Sequence, residues 1–325
     1  MRAGIRSILN GIVIIFILIT LILTSGYMHV RNATSKSFVK QDHISSKVMN
    51  KKPLSILVMG TDVGALNRGN TGGNTDTLEL ITVNPKLESI TLTSIPRDTL
   101  VKIESKKSTS HYAKINSAYQ VDGPNLTVKQ VKELLNVPID YYAVVNMGVL
   151  KKVVNSVGGV TVDNPFAFTY ENHYFPKGKQ HLNGNEALKF SRMRYDDPNN
   201  DYGRQKRQQQ IMVSAIKKFK HHASAKSANE IVNAIGDGVK TNVPINDIEY
   251  LYDNYHTAMK HVTTYHLQEE DANVNNISYQ LATPKELNRV SKLIRHQLNL
   301  SNDPVVNNET DLYYNRDDLS NVINN

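Results

Sequence analysis

The segment that most constrains this chain is a long apolar run close to its start. The residues from Ile5 to Thr24 are mostly Ile, Leu, Val, Phe and Thr, and no charge follows Arg6 until Arg31. A membrane-spanning helix needs about 20 mostly apolar residues, whereas the apolar part of a cleaved signal peptide usually has about 7–15. The run therefore predicts an uncleaved membrane anchor. Small residues at 24–26 leave a cleaved signal peptide as the alternative.

The orientation of this anchor does not follow from its flanks. Arg2 and Arg6 precede the apolar run, and Arg31, Lys36 and Lys40 follow it. Because short flanking segments rich in Lys and Arg tend to stay in the cytoplasm, similar positive charge on both sides leaves the direction open.

The remainder of the 325-residue chain is long enough to bury a sizeable core, and 40% of all residues are hydrophobic. It contains no cysteine, which excludes disulfides, thiolate metal sites and a cysteine nucleophile. The formal net charge of +8 permits an anionic partner without selecting one. We divide the chain into a cytoplasmic N-terminus with the anchor, a polar linker, a folded domain and a mobile polar tail, at residues 1–26, 27–52, 53–300 and 301–325.

Short apolar runs at Leu54–Met59, Thr77–Asn84 and Ser89–Ile95 predict three strands. Because only four residues separate the last two, they are expected to be antiparallel. Apolar spacing and capping residues predict helices at Thr127–Asn136, Met147–Val157, from Asn183, Arg204–Lys220, Asn246–His261 and Pro284–Leu298, the last with Thr283 and Glu286 as a capping box. This mixture predicts an α/β fold, a three-layer-like sandwich with a central mixed sheet and flanking helices.

Two acids lie at the ends of neighbouring predicted strands. Asp62 comes just after the first strand, and Asp76 comes at the start of the second. Carboxylates at strand ends can share one rim of a sheet, and Mg²⁺ often uses only one or two protein carboxylates together with a phosphate. The alternative is that each acid merely closes a turn.

An arginine and an acid follow the third predicted strand. Pro96 ends the strand, so Arg97 and Asp98 are expected at the same rim as the two acids. A surface ion pair of little energetic value is the alternative.

A later segment concentrates arginines. Arg192 and Arg194 would share a face if the chain is extended there, and Arg204, Arg207 and Gln208 would share a helix face. Two such faces could clamp an anion, because the planar guanidinium binds phosphate oxygens in pairs and the nearby helix start also favours an anion. The alternative is a solvated basic helix partnered by Asp196, Asp197 and Asp201.

In order and spacing, these motifs resemble the LytR-CpsA-Psr family of membrane-anchored bacterial cell-envelope enzymes. The resemblance covers roughly Pro53 to Gln210. The matching segments are Gly60-Thr-Asp62, Asp76-Thr77, Ile95-Pro-Arg97-Asp98, Lys114-Ile-Asn116-Ser-Ala-Tyr119, Gly158-Gly159-Val160, Leu182-Asn-Gly184 through Ala187-Leu188, Arg192-x-Arg194, Asp201-x-Gly-Arg204 and Arg207-Gln208.

The resemblance implies a phosphotransferase that moves a wall teichoic acid or capsular polysaccharide from an undecaprenyl pyrophosphate carrier to peptidoglycan. It implies a single-pass protein of the cytoplasmic membrane, with its catalytic domain outside and no nucleic-acid partner. Asp62 and Asp76 would hold Mg²⁺. The residues expected around the pyrophosphate are Arg97, Arg192, Arg194, Arg204 and Gln208, with Asp98, Lys114 and Arg207 at nearby motif positions.

One departure from the family pattern concerns the second acid. Relatives often carry Arg-Ser-Asp-Thr there, whereas this chain has Asn74 and Thr75 before Asp76. Arg68 is a candidate to replace the missing charge. Two other functions stay open: a DNA-binding transcriptional attenuator, and a lipid pyrophosphate hydrolase that uses water as the acceptor.

Overall fold

The computed structural model describes residues 45–61, 73–194, 196–222, 239–244, 247, 250, 251, 254–316 and 319. The predicted anchor at residues 5–24 lies outside this part of the chain. None of the helices described has the length and apolar character needed to cross a membrane. The chain divides into two compact units: the first comprises Met1–Lys52, Asn84–Ile90 and Val145–Val262, and the second Pro53–Val83, Thr91–Val144 and Thr263–Asn325.

The described residues form a mixture of strands and helices, as a mixed α/β fold requires. The strands are β1 (Leu54–Thr61), β2 (Thr75–Asn84), β3 (Ser89–Ile95), β4 (Leu100–Ser105), β5 (Ser108–Lys114), β6 (Tyr141–Asn146), β7 (Val160–Asn164), β8 (Phe168–Tyr170), β9 (His173–Phe175), β10 (Gly178–Leu182), β11 (Val239–Thr241), β12 (His261–His266), β13 (Glu269–Val274) and β14 (Ile277–Ala282). The helices are α1 (Ser46–Met49), α2 (Ser117–Leu135), α3 (Met147–Ser156), α4 (Gly184–Arg192), α5 (Asn200–His222), α6 (Pro284–Gln297) and α7 (Asn308–Tyr314), with a 3₁₀ helix at His256–Lys260.

The second unit is built on a sheet in which β6, β1, β2, β3 and β12 follow one another. β1 and β2 are antiparallel, with Leu57 opposite Leu80 and Met59 opposite Leu78. These side chains belong to one buried apolar cluster with residues of α2 and α6. Because side chains alternate along each strand, these apolar residues point to one face of the sheet, and helices α2 and α6 pack on that face.

Helix α2 begins well before the predicted start at Thr127. Its first turns precede a kink where Asp122 and Gly123 leave helical geometry, and Pro124 follows. The Gly-Pro pair reads as a helix end in sequence, but here it bends the chain between two helical segments.

The predicted mobile tail at residues 301–325 is wrong for its described part. Asn307 caps α7 by accepting a hydrogen bond from the Thr310 amide. Leu312 packs into a buried cluster with residues of β4 and β14, and the carboxylate of Glu309 accepts the Lys102 amide at 3.2 Å. The polar composition concealed this helix because polar side chains, Glu309 and Asn307 among them, supply much of its docking.

The first unit contains two antiparallel pairs, β7 with β10 and β8 with β9. The predicted capping box of α4 is confirmed, since Asn183 and Glu186 exchange both expected hydrogen bonds. Behind it, the rings of Phe168, Phe175 and Phe190 lie 4.9–5.8 Å apart by their centroids. These aromatic contacts fix α4 against the β8–β9 hairpin.

Three smaller predictions need correction. The segment predicted as linker contains α1, whose Val48 is buried. The carboxylate of Glu286 does not return to its cap; it accepts the Gln268 amide at 2.9 Å and pairs with Arg289. The predicted helix at Asn246–His261 lies partly outside the described residues, and its last part is the 3₁₀ helix.

We predict that Gly184→Ala destabilises the first unit, because α4 starts against α3 at this residue. An added Cβ would overlap the Lys151 carbonyl and lie 2.9 Å from Asn155 Oδ1, which accepts the Gly184 amide at 2.7 Å. Overpacking of this kind costs about 1–3 kcal/mol in the free energy of urea unfolding. The exposed neighbour offers a control, since Asn185→Ala should change that energy by less than about 0.5 kcal/mol. Equal unfolding midpoints for both variants would contradict the prediction.

Candidate functional site

In the second unit, four of the predicted site residues form a row of alternating charge. Arg97 pairs with Asp76 through Nη1, and its Nε lies 3.8 Å from the Asp98 carboxylate. The other oxygen of Asp98 lies 2.9 Å from Lys114 Nζ. All four side chains are half-buried, so these pairs are less screened by water than pairs on an open surface.

The backbone turn after β3 places the middle of this row. The Thr99 amide donates to the Pro96 carbonyl at 3.3 Å, which closes the turn. The amides of Ile115 and Asn116 then donate to the carbonyls of Thr99 and Arg97 at 2.8 and 3.2 Å. The end of β5 is thereby tied to the turn, and Lys114 is brought beside Asp98.

A β-bulge places Asp76 at the end of the row. The register of β1 and β2 shifts between Gly60 and Thr61, and an added Cβ at Gly60 would lie 2.9 Å from the Cβ of Thr77. Bulges of this kind re-aim side chains at sheet rims. Asp62, the other predicted metal ligand, lies outside the described residues, as does Arg68.

Mg²⁺ is compatible with the donor type found here. It prefers carboxylate oxygen and needs only one or two protein carboxylates when a phosphate completes the coordination. Asp76 supplies one carboxylate, and the described residues contain no group of three or more His, Asp or Glu that could hold a metal by themselves. An ion here would depend on Asp76, a partner such as Asp62, and the substrate.

In the first unit, Asp201 gathers two of the predicted arginines. Its carboxylate lies 2.9 Å from Arg204 Nη2 and 3.7 Å from Arg194 Nε. The Gln205 side chain also donates to it at 3.1 Å. Two guanidinium groups therefore share one carboxylate, and this group of three charges has a net charge of +1.

The extended stretch predicted for Arg192 and Arg194 is wrong. Arg192 is the last residue of α4, and Arg194 lies beyond the helix end. The Arg192 guanidinium donates to the Glu171 carboxylate at 2.6 Å, and Lys189 Nζ donates to the Glu171 carbonyl at 2.8 Å. Arg192 thus contacts the β8–β9 turn.

Arg207, which the resemblance puts at a motif position near the pyrophosphate, is buried in the first unit. Its side chain is 2% exposed and pairs with Asp197, while Nε donates to the Phe190 carbonyl at 3.0 Å and Nη2 donates to the Met193 carbonyl. Burial lowers the pKa of Arg207, and the hydrogen bond to Asp197 opposes that change. Its contacts hold the end of α4, where a cation also suits the helix dipole.

Three further residues of this segment lie close to Arg207 or to the end of α4. The alternative interpretation of this segment, a solvated basic helix, would leave Asp197 in solvent, but its side chain is also only 2% exposed. An added Cβ at Gly203 would overlap its carboxylate, so glycine is needed there for this close approach. Gln208 Nε2 approaches the Ser191 carbonyl at 3.4 Å.

Two residues of the β13–β14 hairpin contact the charged row or the turn that carries it. Neither of them was predicted from the sequence as a site residue. The ring of Tyr279 lies 5.7 Å from Lys114 Nζ, and Glu269 contacts the Thr99 hydroxyl at 2.9 Å. Both lie far along the chain from the motifs, in a segment with no recognisable pattern. The sequence offers one signal for these contacts: a hydroxyl residue, Thr99, directly follows Asp98 and could bind a partner from elsewhere in the chain.

The model of the LytR_cpsA_psr family matches residues 17–296. The chain is 38% identical over 303 residues to the Biofilm regulatory protein A of Streptococcus mutans, covering 88% of this chain and 74% of that protein. It is 44% identical over 214 residues to the polyisoprenyl-teichoic acid–peptidoglycan teichoic acid transferase TagU of Bacillus cereus, covering 66% and 68%. The crystal structure of protein gbs0355 from Streptococcus agalactiae superposes with a TM-score of 0.75 at 35% identity, covering 84% and 98%.

We predict that Arg207→Ala unfolds the first unit more readily. Removing one partner of a buried pair leaves Asp197 as an uncompensated buried charge, which costs about 3–5 kcal/mol in the free energy of unfolding. Lys206→Ala is the matched control, because this cation is adjacent on the same helix and exposed. Urea unfolding of both variants checks the prediction, and a loss below about 1 kcal/mol for Arg207→Ala would contradict the structural role.

Proposed function

The chain belongs to the LytR-CpsA-Psr family, and on this premise we propose that it transfers a phosphate-linked glycopolymer from a polyprenyl diphosphate carrier to peptidoglycan. Relatives named as teichoic acid transferases support this reaction. The observation that carries the proposal is the row of alternating charge from Asp76 through Arg97 and Asp98 to Lys114. It places two cations on a rim where motif residues converge.

These cations suit a diphosphate. Its negative charges repel an incoming oxygen atom, so catalysis requires groups that neutralise charge at the reacting phosphorus and on the leaving phosphate. The planar guanidinium of Arg97 can bind two phosphate oxygens at once, whereas the Lys114 ammonium acts as a point charge. In the first unit, the more exposed guanidinium of Arg194 is suited to the same kind of oxygen, with the buried Arg204 beside it on Asp201.

The reaction balances as a phosphoryl transfer. A sugar hydroxyl of peptidoglycan attacks the phosphorus nearest the glycopolymer, and a new oxygen–phosphorus bond forms. The bond from that phosphorus to the bridging oxygen breaks, and polyprenyl phosphate leaves. The hydroxyl proton must pass to a base, for which Asp98 and Asp62 are the candidates.

Asp62 and Asp76 are the residues that would hold Mg²⁺. When bound, the ion would neutralise charge on the leaving phosphate. The carboxylate of Asp76 also pairs with Arg97, so the same acid can orient this arginine.

The proposal extends to the cellular arrangement. The apolar run at residues 5–24 would anchor the chain once in the cytoplasmic membrane, with the catalytic domain outside and no nucleic-acid partner. The three-layer sandwich would enclose the polyprenyl chain of the carrier. A membrane anchor fits a lipid-linked donor because it keeps the site close to the carrier.

We predict that Arg97→Ala lowers transfer by about 10²–10³-fold, the loss typical for one group that stabilises charge in a transition state. The assay follows labelled glycopolymer from the diphosphate carrier into peptidoglycan. Arg316→Ala is the matched control, since this arginine is exposed in the same unit. Wild-type turnover by Arg97→Ala would contradict the assigned role. Polymer release without peptidoglycan, at the rate seen with it, would instead indicate a hydrolase.

We predict that chelation of divalent cations stops transfer and that added Mg²⁺ restores it. Asp76→Asn removes one anionic ligand, so this variant should need a higher Mg²⁺ concentration for half-maximal rate. Asp303→Asn changes an acid that is 59% exposed and should keep the wild-type dependence. Full activity in chelator would exclude the metal requirement.

A further inference from the structure

The hydroxyl of Thr99 stands between two acceptors and has only one hydrogen. Its Oγ1 lies 2.6 Å from the Pro96 carbonyl oxygen and 2.9 and 3.0 Å from the two carboxyl oxygens of Glu269. Thr99 is fully buried, so water cannot supply a second hydrogen. The distances are satisfied together when Thr99 donates to Pro96 and Glu269 donates to Thr99.

We propose that Glu269 is a positioning residue for the transfer reaction, and that as a neutral carboxylic acid it donates to Thr99 and holds the turn carrying Arg97 and Asp98. This inference rests on the proposed function. It assigns a role to the β13–β14 hairpin, which lies outside every motif of the sequence. Glu269 acts through the turn and contacts no reacting atom.

The surroundings of Glu269 favour its neutral form. Burial raises its pKa well above the ordinary value of 4.5, and the hydrogen bond with Thr99 opposes this rise. The charges of Asp98 and Glu286 raise the pKa further. Each of these acids has its own cation, Lys114 for Asp98 and Arg289 for Glu286.

The same hairpin holds the turn at other points. The Gln280 amide donates to the Asp98 carbonyl at 2.9 Å, and Gln280 forms a bridge with Thr99. The buried ring of Tyr279 lies next to Lys114. The turn is therefore fixed through the backbone by Gln280 and through a side chain by Glu269, and only the side-chain contact depends on a titratable group.

Ionisation of Glu269 would change this contact. A carboxylate can only accept, so the Thr99 hydroxyl would turn toward it and release the Pro96 carbonyl. A new negative charge would also stand near Asp98. Transfer by the wild type should therefore decline as pH rises through the pKa of Glu269.

Glu269→Gln tests this directly, because the amide is neutral at every pH and keeps a donor for Thr99. The full chain is assayed with the diphosphate-linked glycopolymer and peptidoglycan across a pH series. We expect the Gln variant to retain the wild-type kcat within a few-fold at the pH where the wild type is most active, and to lose the decline that the wild type shows as pH rises. Glu269→Ala should lower kcat at least ten-fold with little change in KM. Glu270→Gln, at the exposed neighbour, should behave like the wild type.

A readout without catalysis separates this inference from the proposed function. A raised pKa in the folded state means that stability is greatest below the unfolded value near 4.5 and is lost as pH rises toward the folded value. Across that window the unfolding temperature of the wild type should fall more than that of Glu269→Gln. Equal slopes, or a decline in transfer with rising pH that persists in the Gln variant, would overturn the neutral Glu269. A wild-type chain that transfers nothing would overturn the proposed function, while the slopes would still decide the protonation of Glu269.

Discussion

Pairing of a guanidinium with a carboxylate is the interaction on which the candidate site depends. Each arginine predicted for the site faces an acid, as Arg97 faces Asp76 and Arg192 faces Glu171. The side chain of an arginine loses conformational entropy when it is ordered. Because the acid partner already orders the arginine in the folded protein, this entropy is lost on folding and not when substrate binds. Substrate then meets oriented cations, which is the condition under which charge stabilisation is most effective in catalysis.

Arginine–carboxylate pairs serve two purposes in this protein: the buried pair supports the fold, and the more exposed pairs can bind an anion. Arg207 and Asp197 are each 2% exposed, so neither can exchange its partner for a ligand without leaving the interior. Arg194 is 33% exposed and stands 3.7 Å from Asp201, a distance at which a phosphate oxygen can replace the carboxylate. An inner pair therefore shapes the end of α4, and the more exposed pairs are the ones available to an anion. Arginines from the same stretch of motifs are thus buried in one case, Arg207, and partly exposed in another, Arg194.

Local sequence signals predicted what depends on near neighbours. The apolar runs located β1 to β3, and Asn183 with Glu186 marked the start of α4, because strand alternation and helix capping act within a few residues. The expectation that Arg97 lies at the same rim as Asp76 follows from its place after a strand, and the two side chains pair. Burial of Asp197, the helical position of Arg192 and the docking of α7 could not be predicted this way. The burial of Asp197, for example, depends on its pairing with Arg207, ten residues later in the chain and on the next helix.

The β13–β14 hairpin shows how a segment without motifs can control a site built from them. A charged row that binds a diphosphate must keep its cations in place while negative charge arrives and leaves. An additional ionised acid beside Asp98 would compete for Lys114 and weaken that function. A half-buried, protonated Glu269 avoids this competition and still supplies a hydrogen bond to the turn. The low polarity that makes ionisation of Glu269 unfavourable also strengthens the bond it donates. Desolvation, which would destabilise most acids at this position, is thus what fits this one to hold Arg97 and Asp98 in place.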